Sequence, residues 1–403
     1  MRVLLAPHGT RGDVQPMLAL ASALRDRGYT AVFSAPSNSV AGILAAGFEA
    51  ESNGIDVEAV LRSGAEFDSL RWQMRHLAEL TAQLFESVAA ASDGADLIVG
   101  SGVQMAAASV AEWRGVPYAS AAFCPCVVPG GGSPPPMVRT QTLPLWINRL
   151  LWTVGFPMAS LALRGAINRG RAALRLLAIY NALGHLAGDR ILLAADRDLA
   201  PLADDAPEIA VATDAWILHD TADLDPRVAA FLAVDPAPIY VGFGSMVAKR
   251  VPVLAEHAVA AARALGRRAI IAGGWSGLDR HVLSADDILA VDAVPHALVF
   301  PRVSAIVHHG GAGTTTAAAS SGIAQVILPH ILDQFYWAHR VERLGIGPRA
   351  LPVDLITADI LTDRLDAALG DPVIRRRAAT LGPLIAARNG ADAAVDEIER
   401  LAS

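Results

Sequence analysis

The chain has 403 residues, more than one hydrophobic core usually serves, so two domains are expected. Hydrophobic residues make up 53% and charged residues 18%, which suits a globular protein with buried parallel strands and excludes a disordered one. The formal net charge of -7 disfavours nucleic acid as a partner, because nucleic-acid-binding proteins usually carry a basic surplus.

The cysteines and the apolar segments bear on the compartment. Cys124 and Cys126 are too close in sequence for an ordinary disulfide, so we expect reduced, buried thiols. The chain opens on a strand-like run without the h-region of a signal peptide, which predicts a cytoplasmic protein. The most apolar stretch, residues 150–163, has 14 residues interrupted by Gly155 and Pro157. A span needs about 20 residues, so we expect no transmembrane segment, and peripheral membrane contact stays open.

In chain order, the first half alternates strands with helices. Apolar runs predict strands at 3–6, 31–35, 97–99 and 118–123, and helical spacing predicts helices at 17–24 and 104–114. Gly28 is expected to stop the first helix. This alternation predicts an α/β domain with a parallel sheet.

The pattern then changes. A Gly-rich and Pro-rich run opens an apolar segment, about 130–185, whose helices carry Trp146 and Trp152, and we expect an insertion or lid. Residues 219–226 and 235–238 suit a linker between domains. We therefore predict an N-terminal acceptor-binding domain over 1–220 and a C-terminal donor-binding domain over 221–403.

The second half restarts the alternation. It predicts strands at 239–242, 269–272, 288–291, 305–308 and 325–328, and helices at 254–265, 314–321 and 334–344. Two Rossmann-like domains that face each other across a cleft are therefore expected. The tail is helical and Arg-rich, and its last helix, about 385–403, could pack back on the N-terminal domain.

The segment with the most chemical information is residues 307–316, VHHGGAGTTT, where a strand runs through Gly-rich backbone into a helix. Gly311 and Gly313 let backbone N–H groups approach phosphate oxygens, and the helix N-terminus supplies partial positive charge. Thr314 adds a hydroxyl donor and His309 a ring N–H. The alternative is a tight strand-to-helix turn with a structural histidine.

Further candidates follow two other strands. Asp333 and Gln334 come after the strand at 325–328, where a carboxylate and an amide could hold sugar hydroxyls; the alternative for Asp333 is helix capping. Gly244 and Ser245 end the first strand of the second domain and offer donors to a diphosphate. Because such turns are common, a functional and a purely structural role for this turn are equally favoured.

Asp13 is the candidate base. It follows the first strand within residues 9–16, GTRGDVQP, at an edge that faces the cleft in this architecture. The alternative is that Asp13 caps a helix that Pro16 helps to start. His8 and Arg11 are expected to be structural or to line the acceptor site.

Two further patterns are negative. The first strand lacks a following Gly-x-Gly-x-x-Gly, and no acidic residue ends the second, which disfavours a dinucleotide-dependent oxidoreductase. Asp196 and Asp198 resemble a metal-chelating pair but have no phosphate-binding neighbours. We expect a solvated loop there and no metal site.

The motifs resemble those of family 1 GT-B glycosyltransferases, most closely the bacterial vancomycin-group enzymes that glycosylate antibiotics, and are also similar to sterol glucosyltransferases. The resemblance rests on residues 9–16 and on the stretch from 291–296 through 345–348. It implies that His309, Gly311, Gly313 and Thr314 hold the diphosphate with Ser245. Further residues of the implied donor site are Gly244, Val294 through its backbone to the base, His296, and Asp333 with Gln334 on the sugar.

The resemblance also implies a reaction. Asp13 occupies the position of the proposed base in the antibiotic branch. Plant members have Trp and Glu where this chain has Ala293 and Ala317, so the choice between UDP and dTDP stays open. We expect an inverting, metal-independent transfer of a hexose or deoxyhexose to a hydroxyl of an apolar natural product or sterol-like acceptor, without a cofactor.

The acceptor class rests on the apolar side chains of the middle segment, Trp146, Trp152, Phe156 and Met158, which could equally be core. The alternative functions are a GT-B nucleotide-sugar epimerase or hydrolase, and a non-catalytic nucleotide-sugar-binding module. The sequence does not indicate an oligomeric state.

Overall fold

The computed structural model describes residues 1–62, 70–218, 223–244, 246, 251–282 and 284–403. It has two α/β units, each built on a parallel sheet. The strands of the first unit are β1 (Arg2–His8), β2 (Thr30–Ala35), β3 (Glu49–Ser52), β4 (Leu97–Gly102), β5 (Tyr118–Ala122), β6 (Arg190–Leu193) and β7 (Ala210–Ala212). Its helices are α1 (Arg11–Asp26), α2 (Ser37–Ala45), α3 (Val57–Arg62), α4 (Leu70–Ala91), α5 (Ala107–Arg114), α6 (Leu145–Ala173) and α7 (Ala182–Ala187).

The second unit has a smaller sheet. Its strands are β8 (Ile239–Gly242), β9 (Ala269–Ala272), β10 (Ile288–Val291), β11 (Ala305–His308) and β12 (Gln325–Ile327). The helices of the remaining chain are α8 (Pro226–Leu232), α9 (Val251–Ala264), α10 (His296–Val299), α11 (Ala312–Ser320), α12 (Gln334–Leu344), α13 (Ala358–Gly370), α14 (Pro372–Ala386) and α15 (Gly390–Ala402).

Both sheets have the doubly wound order. In the part of the chain that the structure describes, the strands run β3-β2-β1-β4-β5-β6-β7 and β10-β9-β8-β11-β12, and their pairings are parallel. The expected pair of Rossmann-like domains is confirmed. Strand order reverses between β1 and β4 and again between β8 and β11, and ligands of such sheets bind at the carboxyl ends of the strands that flank this reversal.

Two helices differ from the sequence prediction. α1 begins at Arg11, a turn earlier than Pro16, which lies inside the helix because Thr10 already caps it. α6 is one helix of 29 residues that continues through Gly155 and Pro157, which we had taken as interruptions. By length and composition alone α6 could cross a bilayer. One side of it nevertheless packs on α4 and α7.

The C-terminal helix returns to the first unit. Ala394, Val395 and Ile398 of α15 belong to the same buried cluster as Leu20 of α1 and Phe33 of β2. α14, by contrast, contacts α11 of the second unit. The chain therefore crosses between the units in the short segment that joins α14 to α15.

An ion-pair clamp fixes this crossing. Arg388 donates to Asp196 Oδ2 at 2.6 Å and also pairs with Asp198. Asp196 is fully buried, and its other oxygen accepts the backbone N–H groups of Asp198 and Leu199. The prediction of a solvated loop at 196–198 was therefore wrong, because the partner arginine lies about 190 residues away in sequence.

We predict that Arg388→Met destabilises the protein by about 3–5 kcal/mol, because it leaves the buried Asp196 carboxylate without its cation. Urea unfolding at pH 7 measures the change. Arg375→Met, at an exposed arginine on α14, is the matched control and should shift the midpoint little. Equal unfolding midpoints for the two variants would contradict a clamp at Arg388.

Candidate active site

Two helix N-termini meet where the sheets face each other. α1 follows β1 and α11 follows β11, so both begin at the carboxyl edge of a strand that flanks an order reversal. The two helices contact each other across the cleft. The site therefore takes one wall from each unit.

Asp13 lies at the third position of α1 in a socket formed by two glycines. A Cβ at Gly9 would lie 2.0 Å from Asp13 Oδ2, and one at Gly102 would lie 2.9 Å from Asp13 Oδ1. Gly102 also has φ +69 and would clash with the His8 carbonyl oxygen at 2.1 Å, so only glycine fits. These two glycines allow the β1 and β4 edges to close on the carboxylate.

The structure allows Asp13 to cap α1 and to serve as a base at the same time. Its Oδ2 accepts the Thr10 backbone N–H at 2.8 Å, while Thr10 Oγ1 accepts the Gly12 N–H at 3.2 Å. This capping box uses one carboxylate oxygen. Oδ1 has no hydrogen-bond donor among the described residues and remains open to a substrate.

Burial raises the pKa of Asp13 to about 7. The Thr10 N–H opposes this rise, and the negative charge of Asp333, on the other unit, adds to it. A carboxyl group with a pKa near neutrality can accept a proton at physiological pH and is a stronger base than an ordinary aspartate.

Asp333 stands at the start of α12 but does not cap it through its side chain. The capping alternative considered for Asp333 is therefore not what this geometry shows. Leu332 precedes it with φ +52, a strained conformation for a branched side chain. Burial raises the pKa of Asp333 to about 6, against the opposing effect of the nearby Trp337 indole. Its side chain makes no capping hydrogen bond, and its negative charge acts on Asp13 across the cleft.

Gln334 has a different environment. Its Oε1 accepts the backbone N–H groups of His330 at 2.7 Å and Ile331 at 3.1 Å, and its Nε2 lies 3.2 Å from Met246 Sδ. The side chain is buried. In this structure Gln334 closes the loop that presents Asp333.

The N-terminus of α11 is open. Gly311 is its N-cap and provides no side chain, so no side-chain cap covers the first N–H groups. A Cβ at Gly313 would meet open space. Thr314 is half-buried, and its hydroxyl makes no hydrogen bond within the described residues. Free N–H groups with the partial positive charge of the helix end form an anion site.

His309 lies beside this helix end. A Cβ at Gly311 would lie 2.5 Å from His309 Nε2, and one at Gly244 would lie 3.4 Å from His309 Cε1, so the ring stands between the loops that follow β8 and β11. Its Nδ1 is buried without a partner in the described structure. Burial, and secondarily His308, lowers the pKa of His309 well below its usual value, so the ring is neutral.

The preceding histidine is structural. His308 Nδ1 accepts the Gly310 N–H at 3.1 Å and its Nε2 faces Gln325 Oε1 at 3.0 Å. Burial lowers the pKa of His308 to about 4. These contacts fix the neutral tautomer and hold the Gly-rich loop against β12.

The base-binding candidates surround β8 and β10. Val294 has a buried side chain, while its backbone N–H and C=O have no partner in the described part of the chain. His296 stacks on Phe300, with ring centroids 4.2 Å apart, and its Nε2 lies 3.4 Å from the Tyr240 hydroxyl. Its ring is thus held by neighbours of its own unit. Ser245 lies outside the described residues.

Arg11 links the two walls electrostatically. Burial lowers the pKa of His296 to about 3, and the Arg11 guanidinium from α1 lowers it further. An exposed cation at the N-terminus of α1 therefore lies near the donor wall. His8, by contrast, is buried beside Asn53, and burial lowers its pKa to about 4.

A cavity of ≈ 220 Å³ lies beside Asp13. It runs from Gly102 along the end of β4 to Leu163 of α6 and to Leu183 and Leu186 of α7. The middle segment thus lines the cavity, but with other residues than we expected. Trp146 and Met158 are exposed on the outer side of α6, and Trp152 Nε1 donates to the Ser133 carbonyl.

Sequence reasoning missed the glycine socket. Gly9 opens the 9–16 motif, whereas Gly102 ends β4 three residues beyond the strand predicted at 97–99, and only the fold brings the two glycines to Asp13. No group of three or more His, Cys, Asp or Glu side chains suited to a metal occurs in the described part of the chain.

The two parts of the donor wall predict separable binding defects. His309→Ala should weaken both the nucleoside diphosphate and the nucleotide sugar by about ten- to a hundredfold, the usual effect of losing a hydrogen bond to a charged group. Asp333→Ala should weaken only the nucleotide sugar. Isothermal titration calorimetry with both ligands measures this, and the exposed His281→Ala is the control. Unchanged affinities in both variants would contradict the donor site.

Comparison with known proteins identifies the family of the chain. Residues 277–401 match the family described as the C-terminal domain of erythromycin biosynthesis protein CIII-like proteins. Three relatives from Amycolatopsis orientalis match almost the whole chain. Glycosyltransferase GtfC is 35% identical over 388 residues, 95% of this chain and 94% of its own. Vancomycin aglycone glucosyltransferase is 36% identical over 390 residues (95% and 94%), and dTDP-epi-vancosaminyltransferase 34% over 390 (94% and 93%).

Solved structures share the fold. The crystal structure of glycosyltransferase VinC in complex with dTDP superposes with a TM-score of 0.71, covering 100% of this chain and 99% of VinC at 21% identity. At this identity the likeness concerns the fold alone, which is the expected GT-B arrangement.

Proposed function

Because the chain belongs to the vancomycin-group family of GT-B glycosyltransferases, we propose that it is an inverting, metal-independent enzyme in which Asp13 is the general base. The donor is a UDP- or dTDP-hexose or deoxyhexose, and the acceptor is a hydroxyl of an apolar small molecule. The observation that carries the proposal is the half-buried carboxylate of Asp13 with a pKa near 7, across the cleft from an uncapped helix N-terminus.

The reaction divides between the two walls. Asp13 Oδ1 accepts the proton of the acceptor hydroxyl as its oxygen forms a bond to the anomeric carbon. The bond from that carbon to the diphosphate oxygen breaks, and its electron pair leaves with the nucleoside diphosphate. Attack from the face opposite the leaving group inverts the anomeric centre.

The leaving charge is stabilised by the donor wall. The free N–H groups at the start of α11 and the Thr314 hydroxyl face the diphosphate, and His309 Nε2, beside Gly311, offers a further donor. Arg11 adds a full positive charge from the other unit. Together these groups supply the stabilisation that a divalent cation would otherwise provide.

The acceptor end is small. Typical ligand pockets enclose about 300–1,000 Å³, and the cavity beside Asp13 has ≈ 220 Å³. It accommodates one ring system of the acceptor, with the rest of the molecule in the cleft. Its leucines favour an apolar ring, and a relative that is named for an aglycone acceptor supports this class.

dTDP is the first donor nucleotide to test. One relative is named as a transferase of a dTDP-linked sugar, and VinC is a dTDP complex. Incubation with UDP- and dTDP-sugars and a set of hydroxylated aglycones, followed by mass spectrometry, identifies the pair.

We predict that Asp13→Asn lowers kcat by about 10²–10⁴-fold, the usual contribution of a general base, with little change in donor affinity. Asparagine can still accept the Thr10 N–H, so the helix cap is kept. Asp26→Asn, at an exposed residue near the end of the same helix, is the matched control. Full activity of Asp13→Asn would contradict the assignment.

The pH dependence follows from the raised pKa. Below about pH 7 the Asp13 carboxyl is protonated and cannot accept a proton, so kcat/KM should rise with pH through about 7. This limb should disappear in Asp13→Asn. If the limb disappears in Asp333→Asn and persists in Asp13→Asn, then Asp333 is the base.

The alternative enzyme class has its own test. Donor consumption at an undiminished rate without acceptor would indicate the epimerase or hydrolase instead.

A further inference from the structure

α6 carries an apolar stripe that the proposed reaction does not use. Besides Leu145 at the start of this helix, five large hydrophobic side chains on it are 53–67% exposed. They are Trp146, Leu150, Val154, Met158 and Leu161. At about 100° per residue they fall within an arc of about 120° and extend for about 22 Å along the helix. We call this set the α6 stripe.

The opposite side of α6 holds the helix on the protein. Asn148 donates to the Gly131 carbonyl oxygen at 2.9 Å, Ile167 is fully buried in a core cluster, and Arg171 is buried against Glu112. α6 also packs on α4 and α7. To cross a bilayer the helix would have to leave these contacts, whereas a bilayer surface can meet the α6 stripe with the fold intact.

The charge around the stripe is one-sided. Between residues 137 and 180 the chain has no Asp or Glu and six arginines, Arg139, Arg149, Arg164, Arg169, Arg171 and Arg175, although the whole chain is acidic. Arg149 and Arg171 are neutralised by Asp205 and Glu112. Arg164, Arg169 and Arg175 form no ion pair within the described part of the chain. A surface that covers the stripe would thus meet uncompensated positive charge.

We propose that α6 lies in the plane of an anionic phospholipid bilayer surface. The α6 stripe then enters the surface, and the arginines contact the headgroups. A helix with an apolar face flanked by arginines lies at such an interface. Trp146 at one end of the stripe suits the headgroup level, where amphipathic rings are enriched. A second copy of the chain fits less well, because the acid-free segment of a second α6 would bring no carboxylates to these arginines.

Sedimentation of the full chain with vesicles tests the proposal. We expect binding to vesicles of equimolar phosphatidylcholine and phosphatidylglycerol at low salt, weaker binding at high salt, and little binding to phosphatidylcholine alone. Arg169→Gln with Arg175→Gln should reduce the partition coefficient by about fivefold for each arginine. Equal binding to both vesicle types would overturn the anionic surface as the partner.

The stripe itself has a matched control. Leu150→Ser, Val154→Ser and Met158→Ser combined should reduce vesicle binding at least about tenfold, because three exposed apolar side chains are lost. Leu355→Ser, Val373→Ser and Leu384→Ser combined remove exposed apolar side chains of the second unit and should leave binding unchanged. Equal effects of the two triple variants would overturn the stripe as the docking surface.

A second measurement does not depend on removing the stripe. Met158→Cys can be labelled with a fluorophore, since Cys124 and Cys126 are buried. Quenching by brominated lipids in anionic vesicles is expected if the residue enters the bilayer. Absence of quenching would overturn the proposal. A dimer in sedimentation velocity that the triple serine variant of the stripe dissociates would also overturn it, in favour of a second copy as the partner.

Discussion

A half-buried carboxylate with no cation beside it among the described residues is the feature on which the proposed active site depends. Taking Asp13 out of solvent disfavours its charged form, and the nearby Asp333 disfavours it further. The Thr10 N–H partly compensates and fixes the orientation of the side chain. The cost to folding grows as pH rises from about 4 to about 7 and then levels off, because between these values the folded protein keeps the Asp13 proton that the unfolded chain has lost. A group kept at such a cost is typical of catalytic sites.

The two sheets present chemically opposite groups to the cleft. The edge of β1 and β4 holds the half-buried Asp13 carboxylate, and the edge of β8 and β11 presents uncapped N–H groups. In the proposed reaction, proton acceptance and leaving-group stabilisation therefore belong to different units, and their spacing depends on how the units meet. Arg388 and the return of α15 to α1 bear on that spacing, as does Arg340 Nε, which donates to the Leu199 carbonyl across the units at 2.7 Å.

The sequence predicted most of the strands because parallel strands buried on both faces appear as short apolar runs. Strands at 239–242, 269–272, 288–291 and 305–308 have the predicted bounds. Local patterns also predicted the loops that form the proposed donor site. Helix ends were less predictable, since the capping box at Thr10 starts α1 earlier than Pro16 suggested.

Contacts between distant segments could not be predicted. The ion pair of Arg388 with Asp196 joins residues that have no common local motif. Gln334 appeared to be a sugar ligand, and only the structure shows its amide closing the loop of residues 330–334. The tryptophans of the middle segment appeared suited to an acceptor pocket, whereas Trp146 is exposed, because helical phase and packing decide which side of α6 is covered.

The most direct test of this account is the pKa of Asp13 itself. Carbon-13 NMR titration of aspartate-labelled protein, with the spectrum of Asp13→Asn used to assign the resonance, reports the ionisation without any substrate. The account predicts that the Asp13 carboxyl titrates near pH 7. Titration at the ordinary aspartate value of about 4 would contradict it, because the socket would then not create the base on which the proposed transfer rests.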